Sequence, residues 1–190
     1  MSAVIRKALK DDASQVAPLI YNAIGEIANR LTGEIEIDKI VNQLEVLFCR
    51  EDNRHSYLNT YVAVNEENNT NVLGILVQYS GEDGVQMDAA LIEWLKNKQA
   101  NSIQIDQEAH LDEFYIDTIC VHENSRGLGI GTSLLQFAEE VARQKGYSKL
   151  SLNVETEKVH ARRLYERIGF VVVEPWTIID EPFHHMVKKL

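Results

Sequence analysis

The chain has 190 residues, of which 45% are hydrophobic and 25% charged, and its formal net charge at pH 7 is −10. A chain of this length fits one ordinary domain with a full core, and its apolar fraction excludes wholesale disorder. The acidic balance argues against a nucleic-acid partner, because nucleic-acid binders carry an excess of basic residues.

The first predicted elements are a short strand and a helix. Residues Ala3–Ala8 alternate between apolar and polar side chains as a strand does. A helix then begins at a cap on Asp11 or Asp12 and continues through Tyr21. Pro18 argues against a long unbroken helix, because proline lacks the backbone N–H that the interior of a helix needs.

A second helix and a hairpin are predicted after Gly33. The segment Glu36–Arg50 carries apolar residues at helical spacing. Two segments with the composition of strands follow, Thr60–Asn65 and Val72–Tyr79. The polar residues 66–71 between them indicate a hairpin loop.

The second half of the chain predicts an acidic excursion and then alternating strands and helices. Residues 82–112 contain one helix, because their apolar residues between 87 and 95 have helical spacing, and Phe114–Val121 is a strand. The later elements are a helix from about Gly129 to Lys145, a strand over Lys149–Val154, a helix over Lys158–Ile168, and strands over Phe170–Glu174 and near Phe183–Lys188. This order predicts an α/β or α+β fold in one domain, with a central mixed sheet flanked by helices.

The sequence predicts neither a membrane span nor a metal site. No apolar run approaches the roughly 20 residues that cross a bilayer, so we expect no membrane partner. The N-terminus lacks the apolar stretch of a secretory signal, which makes the cytoplasm the expected location. Cys49 and Cys120 match no metal-ligand spacing, and we expect reduced thiols and no bound metal.

The loop between the strand Phe114–Val121 and the next helix is rich in glycine. It carries Arg126 and three alternate glycines, Gly127, Gly129 and Gly131. The first N–H groups of a helix have no internal partner and lie at the positive end of the helix dipole. Glycine lets the backbone approach a phosphate closely, and arginine adds a positive, forked donor. The loop therefore predicts a site for a phosphate-bearing ligand.

Three other interpretations of this loop can be compared with the sequence. A P-loop is excluded, because no lysine follows the glycines at the required position. A dinucleotide-binding fingerprint would have its third glycine where Thr132 stands, although Glu155 lies near the expected distance for a ribose-binding acid. That interpretation also leaves too little sequence for a doubly wound sheet. The third interpretation is that the glycines only shape a tight turn between strand and helix.

Two motifs together resemble a known family. The segment R-G-L-G-I-G at Arg126–Gly131 resembles the R-x-x-G-x-G acetyl-coenzyme A motif of the GNAT N-acetyltransferase superfamily. The segment A-R-R-L-Y-E-R-I-G-F at Ala161–Phe170 is similar to the A-x-x-L-Y-E-x-x-G-F motif of that family. The resemblance covers the C-terminal part of the chain, and the N-terminal part matches only in the order of its elements. It implies a single GNAT-like domain over residues 1–190, with a sheet that is splayed at the cofactor site.

The resemblance also assigns parts of the chain to the two substrates. Residues 1–81 would supply the N-terminal strand, the acceptor-side helices and the hairpin, residues 82–112 the acidic excursion, and residues 113–190 the core that binds acetyl-coenzyme A. The main chain of the loop and helix start would hold the pyrophosphate, namely Arg126, Gly127, Leu128, Gly129, Ile130, Gly131 and Thr132. The backbone of Ile119 and Val121 would pair with the pantetheine arm, because a splayed sheet edge offers unpaired amide groups.

One position departs from the family pattern. The family commonly has asparagine three residues before the alanine of the second motif, where this chain has Lys158. Lysine offers only donors and a positive charge. It would therefore contact a phosphate of the cofactor, or the family contact would be missing.

The resemblance and the chemistry of amines together suggest the catalytic groups. Tyr165 matches the family tyrosine that protonates the departing thiolate, and a neutral phenol can donate that proton at pH 7. A base is also needed, because an alkyl amine is almost wholly protonated at neutral pH. Strand alternation places Glu113, Tyr115 and Asp117 on one face, and relatives resembling polyamine acetyltransferases carry an acid at the position of Asp117. We take Asp117 as the first candidate base, Glu113 as the second and His122 as the third.

The acidic charge is unevenly distributed along the chain. Residues 119–170 carry eight Lys and Arg against six Asp and Glu, a net charge of +2. Residues 82–117 carry two against nine, a net charge of −7. The segment predicted to hold an anionic cofactor is therefore positive, and a negative region beside it would attract a cationic amine.

The sequence thus predicts an acetyl-coenzyme A-dependent N-acetyltransferase. Its acceptor would be a primary amine, small and cationic or carried on a peptide, that attacks directly in a ternary complex. A catalytically silent acyl-coenzyme A-binding module is the alternative, and Lys158 gives it weak support. A nicotinamide-dependent oxidoreductase that uses Glu155 is the third hypothesis. The sequence leaves the oligomeric state open, a homodimer included.

Overall fold

The computed structural model describes residues 3–100 and 103–190, which are built around one seven-stranded sheet. The helices and strands in chain order are β1 (Ala3–Lys7), α1 (Ala13–Ile24), α2 (Ile27–Thr32), α3 (Ile37–Cys49), β2 (Thr60–Asn65), β3 (Asn68–Ser80), α4 (Gly81–Asn97), β4 (Phe114–Val121), α5 (Ile130–Gln144), β5 (Lys149–Glu155), α6 (Val159–Arg167), β6 (Val171–Ile178) and β7 (Glu181–Lys189). The strands lie in the order β1-β2-β3-β4-β5-β7-β6. Among the described residues, β4 and β5 form the one parallel pair.

Helices cover both faces of the sheet. Strand alternation directs Val62 and Val64 of β2 toward α1 and α3, whereas Ala63 between them faces the cluster formed with α5. Both clusters are buried, so each face of the sheet contributes its own hydrophobic core. The predicted mixed sheet flanked by helices is confirmed.

The N-terminal helices differ from the prediction in two respects. Pro18 lies inside α1 without interrupting it. Proline has no N–H to donate to the carbonyl of Ser14, but Ser14 is exposed, so water can bind that carbonyl. Ala17 and Ile20 on the same helix are fully buried. The short helix α2 follows Gly25 and was not expected from the sequence.

The predicted hairpin and excursion are both present. The turn between β2 and β3 is limited to residues 66–67, because β3 begins at Asn68 and includes most of the expected loop. The excursion begins with α4, which packs Leu91 and Leu95 against the N-terminal helices. Residues 101 and 102 of the predicted excursion lie outside the described residues. No helix in the described part of the chain has the length and apolar character needed to cross a membrane.

Candidate active site

The strands β4 and β5 separate after three residue pairs. Phe114–Ile116 pair with Leu150–Leu152, and the remaining residues of β4 have no partner on β5. The cavity that opens there has a volume of about 300 Å³, and its walls come from both strands, α1, α2, α6 and the segment before β2. Because backbone groups at a separated edge are unpaired, this cleft offers hydrogen-bond donors and acceptors to a ligand.

A β-bulge lies at the point of separation. In the pairing of β4 with β3, Thr118 lies opposite Val77 and Ile116 lies opposite Gln78. Asp117 is therefore an extra residue without a partner on β3. Bulges occur often beside active sites because they redirect a side chain and end the regular pairing of a strand. Here the bulge places the Asp117 side chain at the cavity.

The glycine loop brings two residues in the left-handed conformation to the start of α5. Gly127 and Gly129 have φ angles of +77° and +80°, which residues with a Cβ rarely adopt. A Cβ on either glycine would meet no atom within 4 Å in the described part of the chain, so the loop borders open space. The first turn of α5 has no side-chain cap. Its free N–H groups can therefore bind an anion.

Two basic side chains line the cavity near this loop. Arg126 donates from Nε to the carbonyl oxygen of Val121 at 3.4 Å, and no carboxylate of the described residues forms an ion pair with it. Lys158 lies 2.6 Å from Glu155, which compensates part of its charge. Arg126 is therefore the cation more available to an anionic ligand.

Tyr165 of α6 lines the same cavity from the other side of the cleft. Its ring packs edge-on against Phe170, with 6.2 Å between the ring centroids. Burial raises the pKa of Tyr165 to about 12. The hydroxyl therefore holds its proton throughout the neutral range and can act as a hydrogen-bond donor or as an acid.

A buried arginine organises the end of the cavity that faces away from the glycine loop. Arg54 is only 2% exposed, and its guanidinium contacts Asp88 of α4 at 2.6 Å, Glu108 of the following loop, and Asp117 at 3.6 Å. Burial alone would lower the pKa of Arg54, but Tyr79, Glu108 and Asp88 raise it well above its ordinary value. Three carboxylates surround one guanidinium, so this end of the cavity has an excess of acidic groups.

The carboxylate of Asp117 is held by several donors. It accepts a hydrogen bond of 2.5 Å from the hydroxyl of Tyr79 and lies 3.0 Å from Nε2 of His55. Burial alone would raise the pKa of Asp117, but His55 and Arg54 hold it well below its usual range. Asp117 is therefore an ionised carboxylate with little tendency to take up a proton.

The other candidate bases lie away from the cavity. Glu113 precedes β4, is buried, and lies 3.0 Å from Nε2 of His185 on β7. Burial alone would raise the pKa of Glu113, but the hydrogen bond with His185 lowers it. His122 follows β4, and its Nδ1 accepts a hydrogen bond from the backbone N–H of Asn124 at 3.3 Å. Neither Glu113 nor His122 lines the cavity.

One group of side chains has the composition of a metal site. Ligand atoms of His110, Glu174 and His185 lie within 4.8 Å of one another. His110 is hydrogen-bonded to Glu174 at 2.6 Å, and the two ring nitrogens of His185 face Asn153 and Glu113. These atoms are therefore already engaged with one another and with their neighbours.

The structure brings together most of the residues predicted for the site. The cavity is lined by Asp117, Ile119, Val121, Arg126, Lys158 and Tyr165. Gly127 and Gly129 border the open space beside it, and residues 130–132 form the start of α5. Arg54 and His55 were missed, because they lie in an irregular segment without periodicity and more than fifty residues from β4. Glu108 was counted only as one of the acidic residues of the segment 82–117 and was not predicted as a site residue.

Comparison with known proteins places these features in a family context. A family model described as the acetyltransferase (GNAT) family matches residues 50–170. A solved structure described as that of an acetyltransferase is similar over 98% of both chains, with a TM-score of 0.80 and 31% sequence identity. An N-acetyltransferase from Staphylococcus aureus Mu50 is similar over 97% of this chain and 99% of that one, with a TM-score of 0.79 and 25% identity.

The curated relatives match over shorter segments. The GCN5-related N-acetyltransferase 6, chloroplastic, of Arabidopsis thaliana is 36% identical over 70 residues, which are 37% of this chain and 24% of that protein. The probable N-acetyltransferase camello of Xenopus tropicalis is 39% identical over 59 residues, which are 31% of this chain and 27% of that protein. The aligned segments thus span about a quarter of each relative's length.

Proposed function

Because the chain belongs to the acetyltransferase (GNAT) family, we propose that it transfers the acetyl group of acetyl-coenzyme A to a primary amine, with a small cationic amine as its acceptor. The observation that carries this proposal is the cleft between β4 and β5. An uncapped helix N-terminus and Arg126, which pairs with no carboxylate of the described residues, lie on one side of it, and an acidic cluster lies on the other. The cleft can therefore accept an anionic donor and a cationic acceptor together.

The donor side fits a phosphate-bearing cosubstrate with an extended amide arm. The backbone of Ile119 and Val121 pairs with β3 on one edge only, which leaves its other edge available to pantetheine. The free N–H groups of α5 and the guanidinium of Arg126 are suited to the pyrophosphate. Acetyl-coenzyme A supplies the activated acetyl group when it is bound.

The acceptor side favours a cationic amine. Glu108 and Asp117 line the cavity together with Arg54, whose guanidinium also pairs with Asp88 behind the wall, so an ammonium group entering the cavity meets more carboxylates than cations at this end. Apolar side chains of α1 and α2, Ile24 and Ile27 among them, line the same cavity and would contact the carbon skeleton of the acceptor. We therefore place the acceptor between this acidic cluster and the helices.

The transfer requires three proton movements. Deprotonating an alkyl ammonium at pH 7 costs about 4.6 kcal/mol, so a base near the acceptor is needed. The neutral amine then attacks the thioester carbonyl, the carbon–nitrogen bond forms and the carbon–sulfur bond breaks. Tyr165, which keeps its proton in the neutral range, donates that proton to the departing sulfur and regains one from the amide nitrogen.

The experiment that tests this function measures thiol release from acetyl-coenzyme A. A diaminoalkane and the amino alcohol of the same length form a matched pair, because a second ammonium group in one stands where the other has a hydroxyl. The diamine also offers two equivalent amines, so the salt dependence of its advantage is what reports the charge. We expect release of free coenzyme A with both and a higher kcat/KM with the diamine, an advantage that falls as salt is added. Mass spectrometry should show one acetyl group on the amine.

Two results would overturn the proposal. Tight binding of acetyl-coenzyme A without thiol release across polyamines, aminoglycosides, amino acids and peptides would identify a silent acyl-coenzyme A-binding module. Saturable binding of NADH that coenzyme A does not displace would instead favour the oxidoreductase hypothesis.

A further inference from the structure

The ring of His55 lies beside Asp117 at the acidic end of the cavity. It belongs to the irregular segment between α3 and β2, where its backbone N–H donates to Oδ1 of Asn53 at 3.0 Å. The residue is 1% exposed and lines the cavity. This buried titratable side chain has no part in the chemistry described above.

The hydrogen bonds of His55 determine which ring nitrogen carries a proton. Nε2 lies 3.0 Å from Oδ1 of Asp117 and 3.2 Å from Oγ1 of Thr118. The hydroxyl of Thr118 donates to the same carboxylate oxygen at 2.7 Å, so both oxygens act as acceptors toward the ring. Nε2 must therefore be the protonated nitrogen, and the neutral ring has its lone pair on Nδ1.

The lone pair on Nδ1 is available to a ligand. Within residues 3–100 and 103–190, no hydrogen bond engages Nδ1. In this part of the chain, the fully buried side-chain polar atoms without a hydrogen-bond partner belong to Gln78, Ser151 and Arg162. Nδ1 of His55 is not one of them. Nδ1 is therefore neither engaged nor fully enclosed, and His55 is one of the residues that line the cavity.

We propose that His55 is the catalytic base for the acceptor amine and that Asp117 is a positioning residue that holds the ring. This inference rests on the proposed acetyltransferase function. The ammonium form of the acceptor gives one proton to Nδ1, which leaves a neutral amine and an imidazolium. After the acetyl transfer described above, the imidazolium releases its proton to solvent. The net products are the acetylated amine, coenzyme A as the free thiol, and one proton.

Several charged groups lie around His55. The carboxylate of Asp117 on β4 lies 3.0 Å from Nε2 of the ring. The preceding residue, Arg54, carries the guanidinium that pairs with Asp88, Glu108 and Asp117. Tyr79 of β3 acts on the ring only through its hydrogen bond to Asp117. Imidazole is the side chain whose ordinary pKa lies closest to neutrality, which suits a base at neutral pH.

The test compares His55→Gln with His184→Gln in the full chain. A glutamine at 55 can still donate a hydrogen bond to Asp117 but cannot take a proton, whereas His184 lies on β7 away from the cavity. We expect kcat of His55→Gln to fall about 100-fold, with no change in acetyl-coenzyme A affinity measured by calorimetry. His184→Gln should retain the parent kcat. Asp117→Asn should lower kcat and should also leave acetyl-coenzyme A affinity unchanged.

A second readout separates a base from a structural residue. The defect of His55→Gln should shrink with acceptor amines of lower pKa, because these arrive already deprotonated. A purely structural role would reduce the rate with all amines equally, and that result would overturn the inference. Wild-type kcat/KM should also fall on acidification between about pH 8 and pH 5, where imidazoles take up a proton.

The outcomes distinguish this inference from the proposed function. If the wild-type chain releases no thiol with any amine, the proposed function fails. If it releases thiol and His55→Gln keeps the parent rate and pH profile, only the assignment of His55 fails. Thermal unfolding shows whether each variant folds. If His55→Gln does not fold, the wild-type dependence of kcat/KM on pH tests the assignment on its own. A profile that does not fall on acidification between about pH 8 and pH 5 would overturn it.

Discussion

The carboxylate of Glu113 lies 3.0 Å from Nε2 of His185, and both side chains are buried. Nδ1 of the same ring lies 2.7 Å from Oδ1 of Asn153, whose Nδ2 donates to the carbonyl of Glu108 at 2.8 Å. Both ring nitrogens therefore face acceptor oxygens, so His185 carries two N–H groups and forms an ion pair with Glu113. This pair joins the start of β4 to β7 across β5.

The Glu113–His185 pair predicts a pH-dependent contribution to stability. Because the pKa of Glu113 is lowered in the folded chain, its contribution is complete above the unfolded-state value of about 4.3 and is lost as pH falls through the folded-state value. We expect Glu113→Gln to lower the free energy of unfolding by about 3 kcal/mol at pH 7, because it leaves a buried imidazolium without its partner. Urea unfolding should show this difference shrinking as the pH falls below 4.

A matched control is available beside this pair. Asp112 forms an exposed ion pair with Lys149 at 2.6 Å, so Asp112→Asn should change stability little at any of these pH values. A loss of stability in Glu113→Gln that stays constant as the pH falls from about 4 to about 2 would contradict the ion-pair interpretation.

The glycine loop can be tested with two alanine variants. Gly129 has a φ of +80°, so Gly129→Ala should lower the free energy of unfolding by about 1 kcal/mol through backbone strain. Gly131 lacks a positive φ, and a Cβ there would meet Val121 at an ordinary 3.6 Å. We therefore expect Gly131→Ala to keep the parent stability but to weaken acetyl-coenzyme A binding, because its methyl group enters the phosphate cradle. Urea unfolding measures the stability of each variant, and calorimetry measures its affinity for acetyl-coenzyme A. An affinity equal to that of the parent chain in both variants would contradict a phosphate site.

Removal of the Tyr165 hydroxyl tests the acid of the transfer reaction. We expect Tyr165→Phe to lower kcat about 100-fold. Acetyl-coenzyme A affinity should be unchanged, because the ring can keep its contact with Phe170. Since the pKa of Tyr165 is about 12, wild-type kcat should not fall between pH 8 and about pH 10 through this group. A fall near pH 9 that disappears in Tyr165→Phe would show that the hydroxyl ionises earlier.

The start of α4 predicts a steric effect that is independent of function. A Cβ on Gly81 would lie 2.0 Å from the carbonyl oxygen of His110, and the Gly81 N–H also donates to the carbonyl of Glu113 at 2.9 Å. Gly81→Ala must therefore displace backbone, and we expect a loss of about 3 kcal/mol in urea unfolding. Gly84→Ala is the comparison within the same helix, because its Cβ would meet a side chain, the ring of Tyr79 at 3.1 Å, and no backbone atom. Equal stability of the two variants would show that the loop before β4 moves freely.

Much of the fold could be predicted because its signals are local. Strand β2 and strand β4 have the predicted bounds, and the helices after the glycine loop differ by only one or two residues at their ends. Periodicity and glycine positions depend on residues within one or two turns of each other, which the sequence shows directly. The errors have local physical causes. Pro18 is tolerated where the unpaired carbonyl of Ser14 is exposed, and α2 is too short to produce a clear periodic pattern.

The sequence by itself determined the order of the elements, the glycine loop and the family motifs, and it indicated a positive segment beside an acidic one. The tertiary structure decided which acidic groups meet and what each of them does. Strand alternation grouped Glu113 with Asp117. In the structure, a bulge and the pairing of strands direct Asp117 toward His55 and Glu113 toward His185. These contacts join residues more than sixty positions apart. The protonation and availability of a buried side chain depend on such distant partners and on exclusion of water, and neither is encoded in the spacing of neighbouring residues.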